Sequence, residues 1–476
     1  MVAQDLSNRT AILPASLSDV LRQIGEVHGE AHLTGPVVSW LLADCPEAST
    51  VHGTMLVSGL DGELDEGVFP EFTFTEMLDA GPDSRRLVLA MKDTTVELGI
   101  RGYDPTDSYT HESSGETVQG VWADLVKNHT TIETVAVDAN GAVLDPFDAS
   151  EDITDRRIRT VESARSVFRT NPEVLLDVAV AVGSYGYAVD NETTRMASRD
   201  GANILSVERE LWFQGIDRIL KTPYVDRSLD WLLDTGILSF LLPEVVSLVG
   251  FHKSCEVHHK DCWDHTIKVT KKASVDSCTR WTALCHDIGK IWTRTVDRRG
   301  QVHFYRHEEF GSVLFEGIAA RFHFPKQLAE RVAAVIRLHG RVNLYESDWT
   351  DSAVRRLIRD VEPYLEDLIR FSRADFTSKR AHRVREILRQ LDELEARVAD
   401  IRAQDLRQPP LPKGLGTVLM STLDIPAGPI LGQIRKRLEI LCDAGEIEPF
   451  QDPDYYVSVV RDRGVEAILS TEPKGS

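Results

Sequence analysis

Six residues in the second half of this 476-residue chain have the types and order of a metal site. They are His265 in "CWDHTIKV", the adjacent His286 and Asp287 in "LCHDIGKIW", His307 in "FYRHEEF", His339 in "VIRLHG" and Asp375 in "SRADF". The order is H, HD, H, H, D over 111 residues. Imidazole and carboxylate together suit a divalent metal, here Mn, Ni, Co, Fe, Zn or Mg, as one or two ions. Asp287 has two oxygens and is able to bridge two of them. Such an ion lowers the pKa of water and clamps a phosphoryl oxygen, which is the chemistry of phosphoester hydrolysis. Lys290 puts a positive charge beside the ligands, suited to holding a substrate phosphate. Asp287 and Lys290 are therefore the catalytic candidates. His265, His286, Asp287 and Asp375 are read as holding one ion, with His307 and His339 completing a second or contacting phosphate.

Helices must bring these residues together. The pattern predicts one helix carrying His265 and a second, "WTALCHDIGK", ending at His286-Asp287. Gly289 is placed to take a C-terminal cap conformation there. His307 should start a third helix, His339 end a fourth, and Asp375 lie within a fifth. Ligands on separate helices converge inside a bundle. Residues 260–405 read throughout as successive amphipathic helices, most clearly "RVREILRQLDELEARVADI". His303, His323 and His382 read as surface or packing histidines. Six cysteines, none in a C-x-x-C pair, read as buried thiols and fit a reducing cytoplasm.

The rest of the chain divides by composition. Residues 1–155 hold 28 acidic and 7 basic side chains, which accounts for the whole net charge of −21. An acidic surface opposes polyanion binding by this third. No apolar run reaches the length of a membrane span, and the start has no secretory pattern. Residues 30–145 alternate short apolar runs with Gly, Pro and Asp, and "VAVDANGAVL" reads as strand, turn, strand. The fold class expected is α+β. A small mixed or antiparallel-sheet head spans 1–155, a helical neck 156–250, a helical metal-binding bundle 251–405 and a helical tail 406–476. "SLDWLLDTGILSFLLPEVVSL" in the neck has helical spacing and breaks at Pro243.

The ligand order resembles the HD superfamily of metal-dependent phosphohydrolases, with a His about 20 residues before His-Asp and an Asp about 90 after it. The same H-HD-H-H-D set is also similar to the mixed-valent di-iron oxygenases of that superfamily. The flanks narrow the resemblance. "VDANGAVLDPFDASEDITDRRIRTV" (137–161), "SVERELWFQGIDRIL" (206–220), "LLDTGILSFLLPEV" (232–245) and "LDIPAGPILGQIRKRLEILCDAGEI" (423–447) resemble the CCA-adding tRNA nucleotidyltransferases of bacteria, of the poly(A)-polymerase-like class. Some members of that family carry a fused HD domain, and the likeness covers roughly residues 30–450. It implies a nucleotidyltransferase-like head, tRNA or nucleotide partners, and an HD domain acting on phosphomonoesters or 2′,3′-cyclic phosphates.

The head departs from that family where its chemistry should be. The family's V-G-G-x-V-R-D turn corresponds to "LTGPVVSWLL" (33–42). Gly35 stays, Pro36 has no N–H for a nucleotide phosphate, and Ser39-Trp40 stand for Arg-Asp. No Asp-x-Asp pair follows. Asp61, Glu63 and Asp65 lie too far on. "KNHTTIET" (127–134) stands for R-D-F-T-I-N-A. In "VFRTNPEV" (167–174), Thr170, Asn171 and Val174 cannot supply the base-pairing Asp and Arg. The reading is a metal-dependent phosphohydrolase on a scaffold whose polymerase head is inactive. One alternative is an active CCA-adding enzyme with divergent motifs. Another is a tRNA-binding module gripping phosphates through Arg355, Arg356, Lys379, Arg380, Arg383, Arg435, Lys436 and Arg437. A nucleotide or tRNA 3′ end is the partner expected, and a homo-oligomer is compatible with the sequence.

Overall fold

The alternating apolar runs of the first third build one seven-stranded sheet. Its order is Thr73–Glu76, Arg85–Met91, Thr94–Tyr103, Thr50–Ser58, Ala31–Thr34, Ala136–Asp138 and Val143–Leu144. All neighbours are antiparallel except Thr50–Ser58 with Thr94–Tyr103, which run parallel. The sheet is thus mixed, and the chain is α+β with helices after it. This computed structural model describes residues 13–42, 50–58, 60, 73–76, 85–91, 94–110, 117–251, 262–377, 381–406, 410–443 and 445–470. Asp61, Glu63, Asp65, Cys45, Cys255, Lys379 and Arg380 lie outside the described residues.

Helix Ala15–His28 buries Leu17, Val20, Leu21 and Ile24, spaced three and four apart, against the strands Ala31–Thr34 and Thr50–Ser58. The turn from Ala31–Thr34 into helix Pro36–Leu42 is made by Gly35, whose φ of 84° suits glycine. Pro36 opens that helix, where its missing N–H costs the helix nothing. The D-A-N-G turn is as expected. The Asp138 carboxylate accepts from the amides of Asn140 and Ala142, and Gly141 has a φ of 83°.

The connector after the sheet is organised by one carboxylate. Asp152 is fully buried. It accepts from the Thr131 hydroxyl at 2.7 Å, from Arg157 Nε at 2.8 Å and from Arg159 Nε at 2.8 Å. Burial opposes its charge, but these donors outweigh burial and hold its carboxyl below the usual range. Helices from Ala164–Thr170 to Pro243–Val246 follow, with Phe168, Trp212 and most of Val174–Tyr185 in their core. The "SLDWLL" stretch breaks twice, at Gly236 and before Pro243, which starts the short helix Pro243–Val246.

Two compact units make up the chain: Met1–Asp348 with Leu357–Asp392, and Trp349–Arg356 with Glu393–Ser476. In the second, helices Leu415–Leu423, Pro429–Asp443, Pro453–Arg463 and Val465–Ser470 close over Leu419, Ile434, Leu438, Tyr456 and Val460. No helix among the described residues is long and apolar enough to cross a membrane.

Asp152→Asn is expected to lower stability by about 2 kcal/mol, since two arginines and a threonine lose a charged acceptor but the arginines regain water. The wild-type advantage is full above the ordinary carboxylate pKa. It disappears as pH falls through the lower folded-state value, so denaturation curves of the two proteins should converge in acid. Superimposable curves at neutral pH would mean the network is structurally idle.

Candidate metal centre

The helix that ends at the His-Asp pair is fixed from behind. In Ser277–Cys285, Trp281 is fully buried and its Nε1 donates to Asp217 Oδ1 at 3.0 Å, while Ser277 Oγ donates to Asp217 Oδ2 at 3.1 Å. Asp217 lies on the neck helix Arg209–Leu220. Phe213 stacks on Trp281, and Phe322 and Phe324 meet its edges. A carboxylate anchor and an aromatic cluster therefore set where this helix stops. Sequence reasoning passed over Asp217. Its signal was an acid on the otherwise apolar stripe of "LWFQGIDRIL".

At the stop, Gly289 does not take the left-handed cap conformation expected. Its φ is −69°. Glycine is required for another reason: a Cβ there would collide with the His307 carbonyl oxygen and lie 2.7 Å from the Gly311 nitrogen. The two backbones touch. This contact puts the start of helix His307–Arg321 beside Asp287. A second difference is a short antiparallel hairpin, Arg294–Val296 with Val302–Phe304, in a stretch read as helical. The alternation in "RTVDRRGQVHF" around a D-R-R-G turn was its signal.

All six metal candidates meet. His265 sits on Cys262–Lys272, His286 caps Ser277–Cys285, and His307 starts its helix. His339 caps Lys326–Leu338 and Asp375 ends Leu365–Asp375. They form two triads, each with ligand atoms within 4.8 Å of one another: His265, His286, Asp375 and Asp287, His307, His339. Asp287 faces both. Its Oδ2 lies 3.2 Å from His286 Nε2 and 3.8 Å from His265 Nε2, and its Oδ1 lies 3.7 Å from His307 Nε2. Lys290 Nζ donates to Asp287 Oδ2 at 2.7 Å.

The hydrogen bonds decide which ring atom faces inward. Nδ1 of His286, His307 and His339 donates to the carbonyl three residues earlier, Ala283, Phe304 and Ile336, at 2.7–2.9 Å. His265 Nδ1 pairs with Thr377 Oγ1 at 2.9 Å. Each ring is thereby oriented with Nε2 toward the others, as bonding of the far nitrogen does in metal sites. The inward atoms are then almost all acceptors. His286 Nε2 lies 3.3 Å from His265 Nε2 and 3.6 Å from Asp375 Oδ1, and its only neutral-state proton is spent on Ala283. His286, Asp287 and His339 are buried. Lone pairs packed this closely call for positive charge between them, which Lys290 and the raised basicity of His286 supply only in part. The donor set fits a divalent metal, and two imidazoles per carboxylate suit a transition ion.

Burial opposes a charge on His286, but Asp287 and Asp375 outweigh it and raise its pKa, so the two acids draw positive charge to the middle of the site. Burial opposes the charge of Asp287, but His286 and Lys290 hold its carboxyl well below the usual range. Burial likewise opposes Asp375, while its bond with His265 and the His286 ring keep it at about 2. Both acids remain anionic. Burial, with His286 beside it, brings His339 down to about 4, and burial lowers His307. Neutral rings are the ligating form. Cys278 and Cys285 belong to neither triad: both are buried, and burial pushes Cys278 up to about 12.

Arg356 and Arg383 are exposed and Arg355 is half-buried within reach of Gln404, on helices Asp351–Val361 and Ala381–Leu406. Arg435 and Lys436 are exposed on Pro429–Asp443, and Arg437 turns partly inward.

Residues 263–397 match the HD domain family. The chain is 24% identical over 347 residues to an A-adding tRNA nucleotidyltransferase of Deinococcus radiodurans, covering 70% of this chain and 78% of that protein. It is 30% identical over 238 residues to a CC-adding tRNA nucleotidyltransferase of Thermus thermophilus, covering 48% and 52%. It is 28% identical over 249 residues to a multifunctional CCA protein of Pseudomonas fluorescens, covering 50% and 58%. The match thus spans little more than half of the latter two proteins. The CCA-adding enzyme of Bacillus stearothermophilus, solved with CTP, aligns with a TM-score of 0.47 at 19% identity over 94% of this chain and 96% of that one. The chain carries an HD domain and is homologous to bacterial tRNA nucleotidyltransferases.

Gly289→Ala is expected to push the His307 helix away from Asp287. Elemental analysis should find metal content at least tenfold below wild type, with a stability loss of about 1–3 kcal/mol from overpacking. Wild-type metal content in this variant would show that the backbone contact does not set the site.

Proposed function

We propose that this chain is an HD-type, metal-dependent phosphohydrolase that cleaves a phosphomonoester or a 2′,3′-cyclic phosphate on a nucleotide or an RNA 3′ end. The observation that carries this reading is the pair of triads facing Asp287, with all four imidazole Nε2 atoms turned inward. A divalent metal bound there supplies a Lewis acid and lowers the pKa of water. The chain's own groups do the rest. Asp287 links the two triads through its two oxygens. Lys290 is fixed by Asp287 at the edge of the site, less than a quarter exposed, where it can neutralise a substrate phosphoryl oxygen. His307 and His339, held neutral by burial, complete the second triad. Buried walls around His286 and His339 keep bulk water from screening these charges.

The head supports the same reading by what it lacks. Its strand Ala31–Thr34 turns at Gly35 into helix Pro36–Leu42, the place where the resembling family holds nucleotide phosphate. At the helix start, however, Pro36 has no N–H to offer a phosphate, and strand Thr50–Ser58 contains no carboxylate to hold magnesium. Ser39, where the resembling family has arginine, is buried and its hydroxyl has no partner. The 28 acidic side chains of residues 1–155 repel triphosphate and RNA alike.

A second reading, nucleotidyl transfer to tRNA, is favoured by the relatives, which are named for adding A, CC or CCA. One experiment separates the two. The wild-type chain and Asp287→Ala are assayed on 2′,3′-cyclic AMP and p-nitrophenyl phosphate with Mn, Ni, Co and Mg. Both are also assayed on tRNA lacking its CCA end with CTP and ATP. Metal-dependent hydrolysis that falls at least a thousandfold in Asp287→Ala, without nucleotide incorporation, is the expected result. Incorporation of CMP or AMP that survives Asp287→Ala would establish the head as the working centre and the HD domain as its accessory.

A further inference from the structure

The 21 residues from Lys290 to Phe310 join the two halves of the metal centre and carry a surface that the ligand chemistry leaves unused. Trp292, Tyr305 and Phe310 are 69%, 66% and 42% exposed. Single exposed rings are ordinary on a protein surface, but these come in pairs beside one site. Trp292 and Phe310 face each other with ring centres 6.5 Å apart. His303 and Tyr305 stack at 5.1 Å with planes 12° apart. Lys290 lies over the Phe304 ring at 5.8 Å. The hairpin register sets Arg294 opposite Phe304, so the chain ends carrying Trp292 and Tyr305 lie side by side. Trp292 is two residues from Lys290, and Tyr305 two from His307.

The far end of the hairpin is cationic. Arg298 and Arg299 are exposed at its tip. The one acid there is committed: Asp297 accepts from the amides of Arg299 and Gln301 and pairs with His303 Nε2 at 3.2 Å. Arg306 is paired with Glu309 and is left aside. The surface therefore runs from the metal centre, across two pairs of rings, to two guanidinium groups. Exposed π-faces interleaved with cations are what binds single-stranded nucleic acid, whose bases stack on rings and whose phosphates meet arginine. Placement of the rings within two residues of Lys290 and His307, beside a centre suited to phosphate, favours a nucleic-acid end over a membrane or a protein groove.

We propose that the Trp292–Phe310 pair, the His303–Tyr305 stack and the Arg298-Arg299 hairpin tip bind the last nucleotides of a single-stranded RNA 3′ end. The proposal rests on the phosphohydrolase reading for one point only, the placing of the terminal phosphate at the metal centre. Within that reading it selects an RNA end over a free phosphomonoester as substrate. The bases would occupy the rings without sequence preference, and the hairpin tip would meet the backbone a few nucleotides upstream.

The test is fluorescence anisotropy with a short labelled single-stranded RNA ending in a 3′-phosphate. Binding is measured to the full chain carrying Asp287→Ala, so that turnover plays no part. Adding Trp292→Ala or Tyr305→Ala should each weaken binding about tenfold. Arg298→Ala with Arg299→Ala should flatten the salt dependence by a slope of about 1–2. Thermal melts of each variant identify any that unfold, and Trp292→Phe, which keeps a ring, should restore most of the affinity. Equal RNA affinity with and without Trp292 and Tyr305 in folded protein overturns the surface, even if the wild type hydrolyses phosphoesters. RNA binding that depends on these rings in a chain without hydrolase activity keeps the surface and removes the hydrolase reading. AMP binding as tightly as the RNA would overturn the multi-nucleotide surface.

Discussion

The candidate centre depends on a contact between two stretches of backbone. Gly289 lies against the His307 carbonyl and the Gly311 amide, closer than any side chain allows. Three consecutive facts follow from it. Asp287, two residues before the glycine, is carried to within 3.7 Å of His307 Nε2. His286, one residue earlier, turns the other way toward His265 and Asp375. Lys290, one residue after the glycine, folds back onto Asp287. A side chain at 289 would separate the two triads that the aspartate now joins.

Burial then converts this geometry into chemistry. A cluster of four imidazoles and two carboxylates in water would be a set of independent, hydrated groups. Here the pair His286-Asp287 is nearly inaccessible, so each lone pair must find a partner inside the site. The carbonyls of Ala283, Phe304 and Ile336 take the outward protons of three rings and leave their Nε2 lone pairs pointing inward. For His286 and His339 that choice is made by the helix end each one caps, and for His307 by the hairpin strand that ends at Phe304. Rigidity comes from further back, where Asp217 and the aromatic packing around Trp281 hold the His-Asp helix to the neck. Positioning of this kind limits a ligand's freedom more than any single bond to it does.

The head presents the reverse case. Its strand order, its Gly35 turn and the buried stripe of Ala15–His28 are a complete hydrophobic construction, and Asp152 ties its edge to the connector. These requirements are about shape and packing. Proline, serine and apolar side chains satisfy them as well as catalytic groups do. Fold and chemistry must therefore be argued separately for this part of the chain.

Much of this was legible in the sequence, and the reason is local. Residue type and order mark His265, His286, Asp287, His307, His339 and Asp375 as ligand candidates, and apolar spacing puts each on or beside a helix, because that pattern is local. The α+β class and the D-A-N-G turn were readable from apolar periodicity for the same reason. The hairpin at 294–304 was not seen, since its strands are three residues long and too short to outweigh the helical pattern around them. A cap is what the sequence suggests for Gly289, because a sequence shows that a residue lacks a side chain, not what would occupy its place. The division of ligands into two triads around Asp287 and the anchoring of the Trp281 helix by Asp217 came from tertiary structure alone. They depend on distances between helices far apart in the chain. The sequence by itself determined which groups are available and which elements carry them. Only packing decided which lone pairs meet, because that is set by how closely two backbones approach.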